Sequence, residues 1–202
     1  MKKTLYLMRH GQTLFNKRRK IQGACDSPLT SEGINQAKLA REYFMKNSIE
    51  FDHAYSSTQE RASDTLEIIT DLEYVRLKGL KEWNFGTFEG ESEDLNPKAD
   101  EKRGTYGDFF VKYNGESDLE VQERVNNTLL DIMKKDDHQS VLAVSHGGAC
   151  FMFLKKWEDL SKRDNIRFSN CCILKFEYEN DKFTFIEVID PVIEEINYQS
   201  VI

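Results

Sequence analysis

The sequence predicts an α/β fold, in which strands alternate with helices. Residues 4–8 and 141–144 are short, continuous apolar runs, a pattern typical of strands buried on both faces of a sheet. Segments with apolar residues at helical spacing lie between such runs. The 202 residues, 39% of them hydrophobic and 31% charged, suffice for one sizeable core and predict a single globular domain over 1–202.

The first half of the chain is expected to contain two strand–helix units. After the strand at 4–8, Pro28-Leu29-Thr30 introduces a helix whose apolar positions have helical spacing: Ala37, Ala40, Phe44 and Met45. Residues 52–56 form a short strand, and Ser57 is expected to cap the helix that follows.

The second half continues the alternation and ends in a hairpin. The expected elements are, in order, a strand at 73–77, a helix at about 119–134, a strand at 141–144, a helix through Phe151 and Leu154, and strands at 173–178 and 183–189 around Asn180-Asp181. Residues 90–115 are the least regular and are expected to form an inserted lid or cap. The sequence indicates no function for the acidic tail at 190–202.

Composition excludes several classes of function. The net charge of −7 argues against nucleic acid as the main partner, and no apolar run approaches the ~20 residues of a membrane span. The N-terminal apolar run breaks at Arg9, so no signal peptide is expected. The cysteines show no CxxC spacing and are expected to be packed thiols in a reducing cytoplasm: Cys25, Cys150, Cys171 and Cys172.

Two predicted strands each end in a histidine followed by glycine. Arg9-His10-Gly11 follows the first strand, and Ser145-His146-Gly147-Gly148 follows the strand at 141–144. In open α/β sheets, ligands bind just beyond the carboxyl ends of the strands. There Arg9 can bind an anion, His10 can attack it, and Gly11 allows the backbone to approach closely. The alternative for either motif alone is an ordinary strand end.

Two further residues complete a candidate anion site. Arg61, in the first turns of a predicted helix, adds its charge to a helix N-terminus that already favours anions. Glu82 lies in a glycine-punctuated loop with Glu89 and several aromatic residues, where a carboxyl group can serve as a general acid. The alternatives are a surface ion pair for Arg61 and solvated loop carboxylates for Glu82 and Glu89.

These residues, in this order, resemble the pattern of the histidine phosphatase superfamily, which includes the cofactor-dependent phosphoglycerate mutases and broad-specificity phosphatases. The main motifs are Arg9-His10-Gly11, Arg61-Ala62, Glu82 and His146-Gly147. Supporting matches are Asn16, Gln22-Gly23, the segment 26–30, Gly33, Gln36-Ala37, Gly115-Glu116-Ser117 and Arg124. The resemblance implies a three-layer sandwich, with a mostly parallel central sheet flanked by helices and with an inserted cap segment.

The resemblance also implies a mechanism. His10 would attack a phosphoryl group and form phosphohistidine, while Glu82 would act as general acid and then as general base. The phosphate oxygens would be surrounded by cationic and polar groups, namely Arg9, Arg61, His146, Asn16, Gln22, Gly23 and the amide of Gly147. These cations would replace the metal of other phosphatases, so neither a metal nor another cofactor is expected. The basic run 17–20 either adds to the pocket charge or is a solvated loop.

Two departures from the family pattern favour a phosphatase for small phosphomonoesters over a mutase. Residues 90–115 carry four basic residues against six acidic ones, so they form no obvious clamp for a second anion. Trp83-Asn84-Phe85 replaces the arginine-histidine-tyrosine run of the mutases. Aromatic residues either wall the leaving-group pocket or simply pack the inserted segment: Trp83, Phe85, Phe88, Tyr106, Phe109, Phe110 and Tyr113.

Four other functions remain open at this stage. A mutase is the nearest alternative, and a regulatory phosphate-binding protein or a phosphoprotein phosphatase would retain the same pocket. A metal-dependent hydrolase could use His10, His146 and His53, although no metal-ligand spacing is present and neighbouring arginines would repel a cation. Oligomeric state is not determined by the sequence.

Overall fold

The computed structural model describes residues 2–160 and 166–193. Its six strands are β1 (Lys3–Arg9), β2 (His53–Ser57), β3 (Tyr74–Leu77), β4 (Ser140–Ser145), β5 (Ile173–Glu179) and β6 (Lys182–Ile189). Its helices are α1 (Leu14–Lys17), α2 (Ser31–Lys46), α3 (Glu60–Ile69), α4 (Asp118–Met133) and α5 (Gly147–Trp157).

The six strands form one mostly parallel sheet in the order β3-β2-β4-β1-β5-β6. The four strands from β3 to β1 are parallel, whereas β5 and β6 run antiparallel to their neighbours. The sheet therefore ends in the predicted hairpin, whose two-residue turn places Asn180 and Asp181 at positive φ.

Helices cover both faces of the sheet, which makes the molecule a three-layer α/β sandwich. Leu5 and Leu7 of β1 pack with α4 and α5 on one face, while Tyr6 and Met8 pack with α2 and α3 on the other. Because side chains alternate across a strand, the continuous apolar run at 4–8 supplies both cores. The fold class predicted from the sequence is confirmed.

Two details of the predicted helices are wrong. Met45, predicted to lie on the apolar side of α2, is 70% exposed. The buried residues of α2 end with Phe44, and the helix itself ends at Lys46. Ser57 does not cap α3: it is the last residue of β2, and Gln59 occupies the N-cap position before Glu60. The Ser57 hydroxyl instead contacts Nε2 of His146.

The segment 90–115 is irregular, as predicted, and contains two short 3-10 turns at Glu93–Leu95 and Val111–Tyr113. Phe110 anchors it, because this ring is fully buried against Trp83 and Phe85. That the segment is an inserted lid or cap of a single domain over 1–202 stays a prediction. Of the acidic tail, residues 194–202 lie outside the described residues.

The described part of the chain contains no helix that is both long and apolar enough to span a bilayer. All four cysteines are unpaired thiols, and three of them are buried. Burial raises the pKa of the half-buried Cys25 thiol to about 12. These thiols behave as packed side chains, as the sequence predicts.

Candidate active site

The two histidine-glycine motifs meet at one edge of the sheet. Because β1 and β4 are parallel neighbours with Arg9 opposite Ser145, His10 and His146 follow at the same level. Their ring centroids are 5.2 Å apart, and both side chains are almost completely buried. The parallel pairing thus brings together two residues that are 136 positions apart in the chain.

Arg61 lies between the two imidazoles. Its Nε–H points at both rings, 3.2 Å from Nε2 of His10 and 3.1 Å from Nδ1 of His146. The side chain is fully buried, so the alternative of a surface ion pair is wrong. The start of α3 at Glu60 places Arg61 in the first turn of that helix, directed towards the carboxyl ends of β1 and β4.

This shared N–H fixes the tautomers of both histidines. A donor at Nε2 of His10 requires a lone pair there, so the ring proton is on Nδ1, which donates to the Gly11 carbonyl at 2.7 Å. His146 accepts at Nδ1 and therefore donates from Nε2 to the Ser57 hydroxyl at 2.7 Å. His10 consequently presents an unprotonated Nε2, the form that a nucleophile needs.

Both histidines are held in the neutral form. Burial lowers the pKa of His10 well below its ordinary 6.5, and the nearby charges of Arg61 and Arg9 lower it further. The pKa of His146 is lowered well below 6.5 by the same main causes, burial first and the Arg61 charge second. At neutral pH the site therefore combines two uncharged imidazoles with two guanidinium cations.

The two terminal nitrogens of the Arg61 guanidinium donate hydrogen bonds to the loop at 23–26. Nη1 donates to the Asp26 carboxylate and to the Cys25 carbonyl, each at 2.9 Å, and Nη2 donates to the Gly23 carbonyl at 3.0 Å. The amide of Gly23 donates to Glu89. Gly23, predicted to bind phosphate, therefore contacts Arg61 and uses both of its backbone polar groups within the protein.

Glu89 is a half-buried anchor and not the solvated carboxylate that the sequence allowed. Its Oε1 accepts hydrogen bonds from the amides of Ala24 (2.7 Å) and Phe85 (2.9 Å). Its Oε2 accepts from the amides of Gly23 and Cys25, both at 3.0 Å. One carboxylate thus joins the loop that supports Arg61 to the loop that follows Glu82.

Arg9 contributes the second cation. Its Nη1 donates to the Phe168 carbonyl, whereas its Nε is buried without a hydrogen-bond partner among residues 2–160 and 166–193. The guanidinium lies against Gly147, where an added Cβ would be 3.3 Å from Nε. This donor and the start of α5 lie together at the cleft, an arrangement suited to an oxyanion.

Glu82 lies at the N-terminus of α5. Its carboxylate accepts hydrogen bonds from the amides of Gly148 (2.9 Å), Ala149 (2.8 Å) and Trp83 (2.8 Å). A Cβ on Gly148 would be 2.7 Å from Oε1, so a larger residue here would displace the Glu82 carboxylate. Arg124 donates to the backbone carbonyls of residues 79, 81 and 82, which fixes the approach of the loop.

Asn16 and Gln22 line the cleft beside Arg9. Asn16 Oδ1 accepts from the Thr13 amide at 3.1 Å and from Nδ2 of Asn170 at 3.2 Å, so the Asn16 amide nitrogen is the group left to donate to a ligand. The Gln22 side chain is hydrogen-bonded to the Thr13 hydroxyl at 2.6 Å. Thr13, the N-cap of α1, thus positions both amides.

A cleft of about 440 Å³ extends from these groups towards the segment 90–115. Of the aromatic residues considered for its walls, Trp83, Phe85 and Tyr106 line it, joined by Phe151 and Phe168. The remaining four pack against one another within the inserted region: Phe88, Phe109, Phe110 and Tyr113.

Of the basic run 17–20, one residue lies at the cleft and another lies at the surface, so each of the two possibilities left open by the sequence holds for part of the run. Lys20 lines the cleft, and its ammonium donates to the Gly90 carbonyl at 2.8 Å. Arg19 pairs instead with Asp94 at the surface.

His53 does not join the other two histidines. It begins β2, whereas Ser57, which contacts His146, ends the same strand. Four residues of extended chain span ~13 Å, so His10, His146 and His53 cannot share one metal ion. The single metal centre considered from the sequence is excluded by this geometry.

Several residues at the site were missed by sequence reasoning. They are Asp26, Ser57, Gln59, Thr65 and Asn170, each of which hydrogen-bonds a candidate site residue or its neighbouring backbone. Only Asp26 carried a signal, since it belongs to the supporting segment 26–30. The others act through contacts between distant segments, which no local pattern reveals.

Comparison with known proteins gives consistent matches. A model of the histidine phosphatase superfamily (branch 1) matches residues 5–191, a range that includes every candidate site residue. The probable phosphoglycerate mutase GpmB from Yersinia pestis (strain Pestoides F) is 33% identical over 186 residues, covering 87% of this chain and 85% of that protein.

Solved structures agree with these sequence matches. Phosphoglycerate mutase from Bacillus anthracis is similar with a TM-score of 0.82 and 25% identity, over 95% of this chain and 94% of that one. A mutant phosphoserine phosphatase from Entamoeba histolytica, in complex with phosphoserine, is similar with a TM-score of 0.75 and 29% identity, over 94% and 98% of the two chains.

Proposed function

Because this chain belongs to the histidine phosphatase superfamily (branch 1), we propose that it hydrolyses phosphomonoesters of small metabolites through a phosphohistidine on Nε2 of His10. The observation that carries the proposal is the Arg61 Nε–H shared between His10 and His146. It leaves the Nε2 lone pair of His10 unprotonated and places a cation beside it, next to the unpaired Nε of Arg9.

In the first step of the proposed reaction, Nε2 of His10 attacks phosphorus in line. The P–N bond forms while the bond to the ester oxygen breaks, and Glu82 in its protonated form gives its proton to the leaving alkoxide. Arg9, Arg61 and the amide of Gly147 stabilise the charge on the phosphoryl oxygens. Asn16 donates from its amide nitrogen, and His146 acts by positioning Arg61, because its two ring nitrogens are engaged by Arg61 and Ser57.

In the second step, water replaces the histidine. Glu82, now a carboxylate, takes a proton from the water as its oxygen attacks phosphorus, and the P–N bond breaks. Inorganic phosphate leaves, and Nε2 of His10 regains its lone pair. The amides of Gly148 and Ala149 hold the carboxylate in place between the two steps. The protein's own cations supply the positive charge, and the proposal includes no metal or cofactor.

The leaving-group end of the cleft favours a phosphatase over a mutase. A mutase must hold a second anionic group, yet none of the basic residues of 90–115 lines the cleft. Arg103 contacts Asp108 and Asp118, and the Lys112 ammonium lies over the rings of Phe109 and Tyr113. Among residues 2–160 and 166–193, the basic residues that line the cleft are Arg9 and Lys20, and the carboxylate of Glu93 lines it as well.

A phosphoglycerate mutase is the second candidate, since the Yersinia relative carries that name at 33% identity. Such an enzyme would interconvert 3-phosphoglycerate and 2-phosphoglycerate with a bisphosphoglycerate primer. The partner of the proposed phosphatase is a small phosphomonoester, with no role for nucleic acid or membrane. Its unpaired thiols are suited to the reducing cytoplasm that we propose as its location.

The test is hydrolysis of a panel of phosphomonoesters by wild type and His10→Ala in the presence of a chelator. The panel contains 4-nitrophenyl phosphate, sugar phosphates, phosphoserine, both phosphoglycerates and a phosphopeptide. We expect wild-type turnover of small esters, abolished in His10→Ala. Rapid quenching with a ³²P-labelled ester should trap acid-labile, base-stable label on the wild-type protein.

Glu82→Gln provides a second readout, and His53→Gln is the matched histidine control. Glu82→Gln should slow hydrolysis of esters with poor leaving groups by about 10²-fold or more, and of 4-nitrophenyl phosphate much less, because nitrophenolate leaves without a proton. Primer-dependent mutase turnover exceeding hydrolysis would replace the phosphatase by the second candidate. Turnover retained in His10→Ala would remove the phosphohistidine mechanism.

A further inference from the structure

The two histidines outside the cleft lie together at the opposite edge of the sheet. His53 begins β2, and His138 lies in the turn between α4 and β4 beside Asp137. Nε2 of His53 is 3.0 Å from Oδ2 of Asp137, and Nδ1 of His138 is 2.8 Å from Oδ1 of the same carboxylate. One carboxylate is thus held between two imidazoles.

The composition and spacing of this cluster suit a transition-metal ion. One ligand atom from each of the three residues can be chosen so that all lie within 4.8 Å of one another. Ligands of a tetrahedral Zn²⁺, at 2.0–2.2 Å from the metal, are separated by roughly 3.3 Å. Each imidazole nitrogen already lies near this distance from one oxygen of Asp137, but the two oxygens differ, so the carboxylate would have to turn or bind through both oxygens as the imidazole nitrogens converge.

The surroundings allow that convergence. His138 is buried, and its other ring nitrogen is 2.7 Å from the Tyr55 hydroxyl, which also accepts a hydrogen bond from the Lys135 ammonium at 2.9 Å. Metal-binding imidazoles characteristically have such an oxygen partner on the second nitrogen. The His53 ring stacks on His138 at 3.6 Å between centroids, and its side chain is one-third exposed, so it has room to turn towards a shared ion.

We infer that His53, Asp137 and His138 form a binding site for a Zn²⁺-class cation, with water completing the coordination. The site would join the start of β2 to the turn before β4. It lies ~13 Å along β2 from Ser57, so its role is structural and independent of the proposed phosphatase chemistry. Nitrogen and carboxylate ligands favour zinc, cobalt or nickel over magnesium or calcium.

The test uses the full-length protein, stripped with a chelator and dialysed. Zn²⁺ binding is measured by calorimetry, and Co²⁺ is added as a spectroscopic probe whose visible absorption reports nitrogen coordination. We expect one metal ion per chain. At free Zn²⁺ about a hundredfold above the dissociation constant, the midpoint of thermal unfolding should rise by about 5–10 °C.

Three variants locate the ion. His53→Gln and Asp137→Asn change exposed or half-exposed ligands and should fold normally, which circular dichroism checks. Both should lose the Co²⁺ absorption and the thermal shift. Asp136→Asn, which alters the neighbouring acidic residue, should keep both.

Phosphomonoester turnover should be unchanged in all three variants, with or without chelator. A metal ion retained in both His53→Gln and Asp137→Asn would place it elsewhere and overturn the inference. Absence of binding at micromolar Zn²⁺ would also overturn it. Failure of the phosphatase proposal would leave these metal measurements unaffected.

Discussion

The hydroxyl of Ser57 and Nε2 of His146 are joined by a 2.7 Å hydrogen bond between the ends of β2 and β4. The sequence predicted a helix cap at Ser57, yet the side chain orients an imidazole 89 positions away. This bond completes a series in which Arg61 donates to His146 and His146 donates to Ser57. The serine therefore accepts the Nε2–H of His146 and fixes the orientation of the ring, whose tautomer Arg61 sets.

Replacing Ser57 by alanine should lower kcat/KM by about tenfold, because the Nε2–H of His146 would lose its acceptor and the ring its fixed orientation beside Arg61. The expected loss corresponds to ~1.4 kcal/mol, the net value of one hydrogen bond. Ser56→Ala is the matched control, since the Ser56 hydroxyl contacts Ser63 and the Ser57 carbonyl and no candidate catalytic side chain. Steady-state kinetics distinguish the two variants, and equal losses in both would argue against this role.

Arg61→Lys should reduce kcat/KM by about 10³-fold or more. A lysine keeps the charge but cannot reach both imidazoles and the loop carbonyls at once, because those contacts need a planar guanidinium. We also expect the free energy of unfolding to fall by about 3 kcal/mol. Arg41→Lys is the control: its ion pair with Asp71 is exposed and worth less than ~1 kcal/mol. Kinetics and urea unfolding measure both effects, and near wild-type activity in Arg61→Lys would be incompatible with the proposed mechanism.

Glu89→Gln should destabilise the site from a distance. The substitution replaces one carboxylate oxygen by an NH₂ group, which would then face two backbone donors and accept neither. We expect a loss of about 2–4 kcal/mol in the free energy of unfolding. The catalytic rate should fall as well, because the loops that support Arg61 and Glu82 would separate. Glu91→Gln, an exposed neighbour, should change neither quantity by more than ~0.5 kcal/mol in urea unfolding.

Acidification should destabilise the folded protein in the range below pH 6.5. The pKa values of His10 and His146 are lowered in the folded state, whereas in the unfolded chain they return to about 6.5. Below that pH the unfolded chain binds protons that the folded protein does not. The free energy of unfolding should therefore fall by up to ~1.4 kcal/mol per pH unit for each histidine.

Urea unfolding at pH 7.5, 6.5 and 5.5 measures this dependence. His10→Gln removes one of the two groups and should reduce the slope, although carboxylates add their own dependence at lower pH. An unchanged slope in this variant would show that His10 is not held neutral.

Much of the candidate site could be predicted because its motifs are local. Arg9-His10-Gly11 and His146-Gly147 each directly follow a strand, and parallel strands present their carboxyl ends at one edge. The partners of those residues could not be predicted in this way. Ser57, Glu89 and Asn170 act through contacts with residues far away in the chain.

The sequence by itself determined the α/β class, the strands that carry both histidines, and the identity of the cationic groups. These features depend on short-range periodicity and on residue chemistry. Only the tertiary structure decided that Arg61 lies between His10 and His146, and that His53 pairs with Asp137 instead of joining the cleft. Strand order fixes which side chains meet, and strand order is set by packing of the whole sheet against its helices.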